Sequence, residues 1–318
     1  MLASVILCTL RRAAQIGATL DSLLALPRPP GLELELVVVE NGPPDGTRTE
    51  VERRAATAVG WKLRYLHVEQ KGKSRALNAG LAAARGELLF FVDDDLRFSP
   101  RWLTDLSALI ISGRADGATS PITIPAHLRR PWMTPYHLGW LGCIRYQNQA
   151  QPDEMPGANM ALHRRALDRV PAFDLELGGG GLGNCEDTLF SRQVVAAGFR
   201  LAFAPEAPVE HHFEPAKLRY AQWQANAAAA GRSRAYLHHH WLHLPVSRAG
   251  WRRLQLRAKL ALRRSFTRSR SPETEGIPPW ELSYRTDLAF LEQFALESAK
   301  PRQYALRGLQ KLGRPGQP

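Results

Sequence analysis

Residues 88–95 read Leu88-Leu89-Phe90-Phe91-Val92-Asp93-Asp94-Asp95, five apolar side chains followed at once by three carboxylates. A short, near-continuous apolar run is typical of a central strand in a parallel sheet, which is covered on both faces. The aspartates then lie at the carboxyl edge of that sheet, where open α/β proteins bind ligands. By itself a triple aspartate is also typical of a solvated acidic turn, so the interpretation depends on the rest of the chain.

The chain before this stretch alternates apolar runs with helical patterns. The runs of strand length are residues 4–8, 35–39 and 62–68, and the helical patterns are residues 13–26 and 74–85. Such alternation is the signature of βαβ units. We therefore predict an α/β fold with a mostly parallel central sheet flanked by helices. Two later strands are predicted at residues 159–163 and 200–204, and helices follow from residue 216 onward.

The composition fits a globular protein with one large domain, or one domain with an appendage. The chain has 318 residues, of which 44% are hydrophobic and 23% charged. No apolar run approaches the roughly 18 to 20 residues of a membrane-spanning helix, so we expect none. Residues 1–8 lack a positive region before them and a cleavage site after them, and therefore predict a strand instead of a signal peptide. The three cysteines have no Cys-x-x-Cys spacing, which favours a reducing, cytoplasmic setting.

The positive charge is concentrated at one end of the chain. The net charge is +12, and residues 248–318 contribute 15 Lys and Arg against six Asp and Glu. Uniform basicity would favour nucleic acid as a partner. A nearly neutral body with a basic tail instead predicts a catalytic domain plus a segment that meets an anionic surface, so we expect no nucleic acid.

The acidic triplet and a second loop predict a site for a metal and a diphosphate. Carboxylates this close together suit Mg²⁺ or Mn²⁺, which completes its coordination with substrate phosphates. Lys73 and Arg75 follow Gly72 at a predicted helix start, where Ser74 is the expected N-cap. Cations and backbone N–H groups at a helix start bind anions, although a solvated helix end has the same pattern.

Five segments in a fixed order carry a family resemblance across residues 3–213. They are Cys8-Thr9-Leu10-Arg11-Arg12, Val37-Val38-Val39-Glu40-Asn41-Gly42 with Asp45-Gly46-Thr47, Gly72-Lys73-Ser74-Arg75-Ala76-Leu77-Asn78-Ala79-Gly80, the triple aspartate, and Asn184-Cys185-Glu186-Asp187. Together they resemble the inverting family 2 glycosyltransferases of the GT-A fold. The resemblance implies a nucleotide-diphosphate sugar donor, an acceptor hydroxyl on a saccharide or lipid-linked acceptor, and Mg²⁺ or Mn²⁺.

The resemblance also implies residue roles. The residues matched to donor binding are Thr9, Arg11, Glu40, Lys73, Asn78, Asp93 and Asn159. The family usually has Asp at the position of Glu40, so the preferred base is less certain. Asp95 and His211 match the metal ligands. Asp187 matches the general base that takes a proton from the acceptor hydroxyl. A carboxylate at a helix start can also simply complement the helix dipole, and Glu186 is the next candidate for the base.

The sequence also contains two motifs that match known patterns only formally, and it leaves two alternative functions open. Gly178-x-Gly180-x-x-Gly183 matches a dinucleotide fingerprint formally, but no apolar strand precedes it, so we interpret it as a loop near Asp187. His239 and His243 lack the Glu of a His-Glu-x-x-His zinc motif. A sugar nucleotidyltransferase would need a glycine-rich first loop, which is absent before Gly17. The other rival is a basic module that binds nucleic acid or membrane without catalysis.

The C-terminal part leaves one question open. We expect residues 1–215 to form the glycosyltransferase domain and residues 216–318 a helical, basic extension. Within the extension, residues 248–270 carry nine Lys and Arg and no acid, and their apolar side chains mostly share one face. That face either packs on the catalytic body or lies on an anionic membrane surface at the cytoplasmic side.

Overall fold

The computed structural model describes residues 1–143, 152–267 and 270–312. The strands are β1 (Leu2–Thr9), β2 (Glu33–Asn41), β3 (Trp61–Val68), β4 (Leu88–Asp93), β5 (Leu96–Phe98), β6 (Gly117–Thr119), β7 (Ile122–Thr123), β8 (Asn159–His163), β9 (Leu201–Phe203) and β10 (Val209–His211). They form a central seven-stranded sheet in the order β3-β2-β1-β4-β8-β6-β9 and a second sheet in the order β5-β10-β7. The helices are α1 (Ala13–Leu24), α2 (Thr47–Ala55), α3 (Lys73–Ala83), α4 (Trp102–Ile111), α5 (Pro135–Trp140), α6 (Glu186–Ala196), α7 (Tyr220–Tyr236), α8 (Ala249–Ser265) and α9 (Pro279–Glu297).

The predicted α/β class is confirmed, and the sheet is mostly parallel. Strands β1 to β4 pair in parallel, and both faces of each inner strand are buried. On one face Phe90 packs with α1, α2 and α4, and on the other Phe91 packs with α3 and α6. This double covering explains why β4 is apolar at almost every position. The triple aspartate therefore follows a central strand at the carboxyl edge of the sheet.

Two pairings bring distant segments to that edge. Strand β8 lies antiparallel to β4, so that Asn159 is opposite Val92. In the small sheet β10 lies antiparallel to β5 and places His211 opposite Leu96. His211 thereby comes next to Asp95, although the two are 116 positions apart in the sequence.

The C-terminal helices pack on the body and on one another. Trp223 and Leu282 share a core with Ile124 and Phe213 of the body, and Tyr236 and Trp241 share another with Leu189. Helix α9 packs along α7, and α8 touches α9 through Leu256. None of the helices in the described part of the chain is long and apolar enough to cross a membrane.

Helix α8 contacts the rest of the protein along only one side, which faces α9. None of its residues is buried, and the predicted apolar face points outward: Trp251, Leu254, Leu262 and Phe266 are 58, 59, 61 and 83% exposed. Leu256 and Leu260, which deviate from that face, are only partly exposed. The hypothesis that the apolar face packs on the catalytic body is therefore wrong.

Candidate active site

A cavity of about 900 Å³ lies at the carboxyl edge of the central sheet. It is bounded by the ends of β1, β2 and β4, the start of α3, the start of α6 and the segment after β10. The charged residues that line it are Arg12, Lys71, Lys73, Asp93, Asp94, Asp95, Glu186, Asp187 and Lys217, with His211 beside them. Both signs of charge thus converge on one mouth, as a bound diphosphate and a cation would require.

Asp94 connects the acidic turn to β1 and α1 through hydrogen bonds. Its Oδ2 accepts a hydrogen bond from Thr9 Oγ1 at 2.6 Å, and its Oδ1 accepts from Arg12 at 2.7 Å. Its backbone carbonyl accepts from Thr19 Oγ1 at 2.6 Å, which fixes α1 against the acidic turn. Burial raises the pKa of Asp94. These contacts give Asp94 and Thr9 a structural task, although Thr9 also lines the cavity.

Asp93 forms an ion pair with Lys73, the first residue of α3. Burial opposes the ionisation of Asp93, but the Lys73 ammonium lowers its pKa below the usual value. The same contact raises the pKa of Lys73 despite its burial. A positive side chain therefore stands at the N-terminus of a helix, whose dipole also favours an anion.

Asp95 and His211 face each other with unsatisfied atoms. Asp95 Oδ1 and His211 Nε2 lie 3.3 Å apart, and both are buried without a hydrogen bond. His211 Nδ1 donates to the carbonyl of Leu141 at 2.9 Å, which leaves Nε2 with its lone pair in the neutral ring. Two acceptors at this distance repel unless a proton or a metal cation lies between them. Carboxylate oxygen suits Mg²⁺ and Mn²⁺, and imidazole nitrogen is a ligand of transition metals, so the pair fits Mn²⁺ better than Mg²⁺.

The second oxygen of Asp95 is held by two cations. Oδ2 accepts from Arg12 at 2.8 Å and from Lys217 at 3.1 Å. Burial opposes the ionisation of Asp95, but the cations Lys217 and Arg12 lower its pKa, as does His211 when its Nε2 carries a proton. The carboxylate is therefore ionised and oriented with Oδ1 toward His211.

Asp187 is held in a fixed orientation at the start of α6. Oδ2 accepts from the Gly157 N–H and Oδ1 from the Thr188 N–H, each at 2.7 Å. Loss of water around the carboxylate raises its pKa, which makes it a better proton acceptor than an ordinary aspartate. Desolvation and the charge of Asp187 also raise the pKa of the neighbouring Glu186, to about 8.

The glycine-rich loop before α6 packs on the start of α3. The Lys73 N–H donates to the Gly179 carbonyl at 2.6 Å. A Cβ on Gly180 would lie 2.9 Å from Gly72 Cα, so the two backbones approach too closely for a side chain. Ser74 is not the N-cap: α3 begins at Lys73 after Gly72, and Ser74 Oγ donates to the Leu177 carbonyl at 2.9 Å. This loop thus closes one wall of the cavity.

The structure brings six of the ten predicted site residues to the cavity. They are Thr9, Lys73, Asp93, Asp95, Asp187 and His211. The other four do not line it. Arg11 is exposed, and buried Glu40 accepts from the Asp45 N–H at 2.8 Å. The Asn78 amide bonds the Phe173 backbone, and the fully buried Asn159 accepts from Trp102 Nε1 at 2.7 Å.

Sequence reasoning missed several lining residues. Arg12 replaces Arg11 because Arg11 has a left-handed backbone, with φ of 54°, that turns its side chain outward. Lys217 had no motif around it. Asn41 and Trp140 also line the cavity. Asn41 belongs to the quoted second-strand motif, and the aromatic residues around Trp140 in the sequence suit either sugar stacking or a place in the core.

The two formal motifs do not form sites. His239 and His243 contact the carbonyls of Lys300 and Tyr304, each at 3.0 Å. The glycine fingerprint follows no strand. Within residues 1–143, 152–267 and 270–312, no group of three or more His, Cys, Asp or Glu side chains is arranged to hold a metal. Asp95 and His211 would therefore offer a cation two protein ligands and leave its other positions to phosphate oxygens or water.

The fold and the site define a glycosyltransferase with the GT-A architecture. A mannosyltransferase from Pyrobaculum calidifontis, solved in complex with GDP-Man and Mn²⁺, superposes with a TM-score of 0.60 at 20% identity, covering 93% of this chain and 86% of that one. TarS 1-349 of S. aureus, in complex with UDP-GlcNAc, has a TM-score of 0.51 at 20% identity, covering 74% of this chain and 67% of that one.

The chain belongs to glycosyl transferase family 2, whose model matches residues 4–170. The succinoglycan biosynthesis protein ExoM of Rhizobium meliloti (strain 1021) is 30% identical over 226 residues, or 69% of each chain. Glycosyltransferase AglE of Haloferax volcanii is 32% identical over 223 residues, or 67% of each chain. The protein is therefore an enzyme of this family, and the rival interpretation as a module without catalysis is set aside.

Proposed function

We propose that the protein transfers a sugar from a nucleotide-diphosphate sugar to an acceptor hydroxyl with inversion, assisted by Mg²⁺ or Mn²⁺. The observation that carries the proposal is the facing pair Asp95 Oδ1 and His211 Nε2, buried and unsatisfied at the edge of the sheet. The solved mannosyltransferase that holds GDP-Man and Mn²⁺ supports it.

Asp95 and His211 would hold the cation. When bound, the cation neutralises the negative charge that develops on the leaving diphosphate. Lys73 and the start of α3 would bind the phosphates. The ion pair of Lys73 with Asp93 keeps the ammonium at the mouth of the site.

Asp187 is the proposed general base. The two backbone N–H groups that it accepts from leave lone pairs on both oxygens for the acceptor hydroxyl. The carboxylate takes the hydroxyl proton while the oxygen attacks the anomeric carbon opposite the nucleotide. Such base catalysis contributes roughly 10²- to 10⁴-fold to the rate.

Turnover of UDP-, GDP- and dTDP-sugars by the full chain tests the proposal. We expect hydrolysis or transfer with at least one donor, loss of turnover in excess chelator, and recovery when Mn²⁺ or Mg²⁺ is restored. Full activity in excess chelator would contradict the metal role. Absence of both turnover and binding with every donor would contradict the function itself.

We further propose that α8 places the enzyme on an anionic membrane surface at the cytoplasmic side, next to a lipid-linked acceptor. In this division residues 1–215 form the catalytic domain, and residues 216–318 carry the attachment and also contribute Lys217 to the cavity. The support is the outward apolar face of α8, with Trp251, Leu254, Leu262 and Phe266 exposed on a helix that carries no acid.

The charge of α8 complements such a surface. Its basic side chains include Arg252 and Lys259, which are exposed beside the apolar face. Each basic residue near anionic headgroups contributes about 1 kcal/mol to binding. Arg257 and Arg263 are instead engaged with α9, through Glu292 at 2.6 Å and through the ring of Trp280. The helix is therefore fixed to the body on one side and basic and apolar on the other, as in amphipathic helices that lie in the membrane interface.

Liposome co-sedimentation tests this attachment. We expect the protein to sediment with anionic but not zwitterionic vesicles, and less as salt rises. Serine at Leu254, Leu262 and Phe266 together removes the association without unfolding the protein, because these side chains are exposed. Leu306→Ser, which changes another exposed leucine, is the matched control. Equal sedimentation of the triple variant and the wild type would contradict the proposal.

A further inference from the structure

Lys217 stands between the acidic turn and the open cavity. It lies in the short 3-10 segment Pro215–Leu218, directly before α7. Its Nζ is 3.1 Å from Asp95 Oδ2, and its side chain is 33% exposed while that of Asp95 is 5% exposed. The ammonium therefore contacts Asp95, the proposed metal ligand, and also borders the active-site cavity.

The contact with Asp95 does not use the full capacity of the ammonium. An ammonium has three N–H donors, and in the described part of the chain the Lys217 ammonium donates a hydrogen bond only to Asp95, with the ring of Phe213 5.9 Å away. Asp95 Oδ2 has a second donor in Arg12, whose guanidinium also bonds Asp94. Arg12 is thus committed to two carboxylates, whereas Lys217 has donors left for a ligand.

The segment that carries Lys217 is anchored. Leu218 is fully buried, and its carbonyl accepts from Trp223 Nε1 at 3.0 Å. The Lys217 N–H donates to the Glu214 carbonyl at 2.9 Å. The backbone of Lys217 is therefore fixed, and only the flexible side chain moves between Asp95 and the cavity.

We propose that Lys217 binds the diphosphate of the donor, as a second ammonium in addition to Lys73. This inference rests on the proposed sugar-nucleotide donor. The ammonium lies beside Asp95, which would hold the cation, so the phosphate oxygens nearest that cation come within its reach. A second ammonium at this place stabilises charge on the leaving group as the sugar departs.

Calorimetric titration of the full chain with nucleotides tests the inference. UDP, GDP, UMP and GMP are titrated at Mn²⁺ concentrations that saturate each variant. Lys217→Met keeps the aliphatic stem and removes the charge, whereas Lys217→Arg keeps the charge. Arg219→Met is the matched control, because Arg219 lies two residues away, is 51% exposed and pairs with Glu273.

We expect Lys217→Met to weaken binding of the preferred diphosphate by roughly tenfold or more, as for a lost charged hydrogen bond. Binding of the matching monophosphate changes by less than about twofold, Lys217→Arg restores most of the loss, and Arg219→Met binds as wild type. Equal binding by Lys217→Met and wild type would overturn the inference, as would equal weakening of diphosphate and monophosphate. If wild type binds no nucleotide, the proposed function itself fails.

Discussion

The carboxylate of Asp187 accepts the Gly157 N–H at 2.7 Å, across 30 residues of sequence. The loop that leads into β8 thus fixes the orientation of the proposed base at the start of α6. An amide in place of this carboxylate keeps one acceptor oxygen for Gly157 but cannot take a proton.

We predict that Asp187→Asn lowers the turnover number by roughly 10²- to 10⁴-fold while donor affinity and thermal stability hold. Steady-state kinetics with calorimetry of nucleotide binding measure both. Glu186→Gln is the matched control, because it changes the neighbouring carboxylate and is expected to retain most activity. If Asp187→Asn loses donor affinity at an unchanged turnover number, Asp187 is a binding residue and Glu186 becomes the candidate base.

The pH dependence follows from the two carboxyls at the start of α6. Desolvation raises the pKa of Asp187 above the usual 3.8 of aspartate. Because a general base acts only when it is deprotonated, we predict that activity falls as the pH drops through this raised pKa. Glu186 has a pKa of about 8 and is therefore protonated at neutral pH, ionising as pH rises. We predict a second change in kcat/KM near pH 8 that Glu186→Gln removes. A profile identical in wild type and Glu186→Gln above pH 7 would contradict this.

The metal site offers a matched pair of histidines. His211 faces Asp95, whereas the adjacent His212 contacts Glu210 at the surface. We predict that His211→Gln weakens Mn²⁺ binding by at least the roughly 10- to 100-fold that loss of a supporting contact costs at metal sites. His212→Gln binds Mn²⁺ as wild type. Electron paramagnetic resonance titration of Mn²⁺ in the presence of UDP or GDP measures both. Equal affinities of the two variants would place the cation elsewhere.

The sequence predicted the part of the fold that local patterns encode. The apolar run before Asp93 identified a central strand, and the residues 159–163 predicted as a strand are β8. Because parallel strands end at one edge, the position of Asp93 and Asp95 followed from the strand end, and that of Lys73 from the helix start after Gly72. Asp187 was identified only through the family resemblance.

What the sequence could not predict are contacts between distant residues. Lys217 contacts Asp95, although the two are 122 positions apart in the sequence. The contact depends on the pairing of β10 with β5, which no local sequence pattern predicts. Arg11 and Arg12 are chemically equal, and only the left-handed backbone of Arg11 decides which one enters the site. Likewise, periodicity showed that α8 is amphipathic but not which face meets the body.

The last prediction concerns the close packing of α7 on α9, which holds the C-terminal extension together. A Cβ on Gly231 would lie 2.3 Å from the Thr286 carbonyl oxygen, so Gly231→Ala must push the helices apart. We predict a loss of about 1 to 3 kcal/mol in the free energy of unfolding, as for other overpacked cores. The matched control is Gly250→Ala in α8, where a Cβ meets nothing within 4 Å. There the better helix propensity of alanine stabilises by up to about 1 kcal/mol. Urea unfolding followed by circular dichroism measures both, and a Gly231→Ala variant as stable as Gly250→Ala would contradict the close approach.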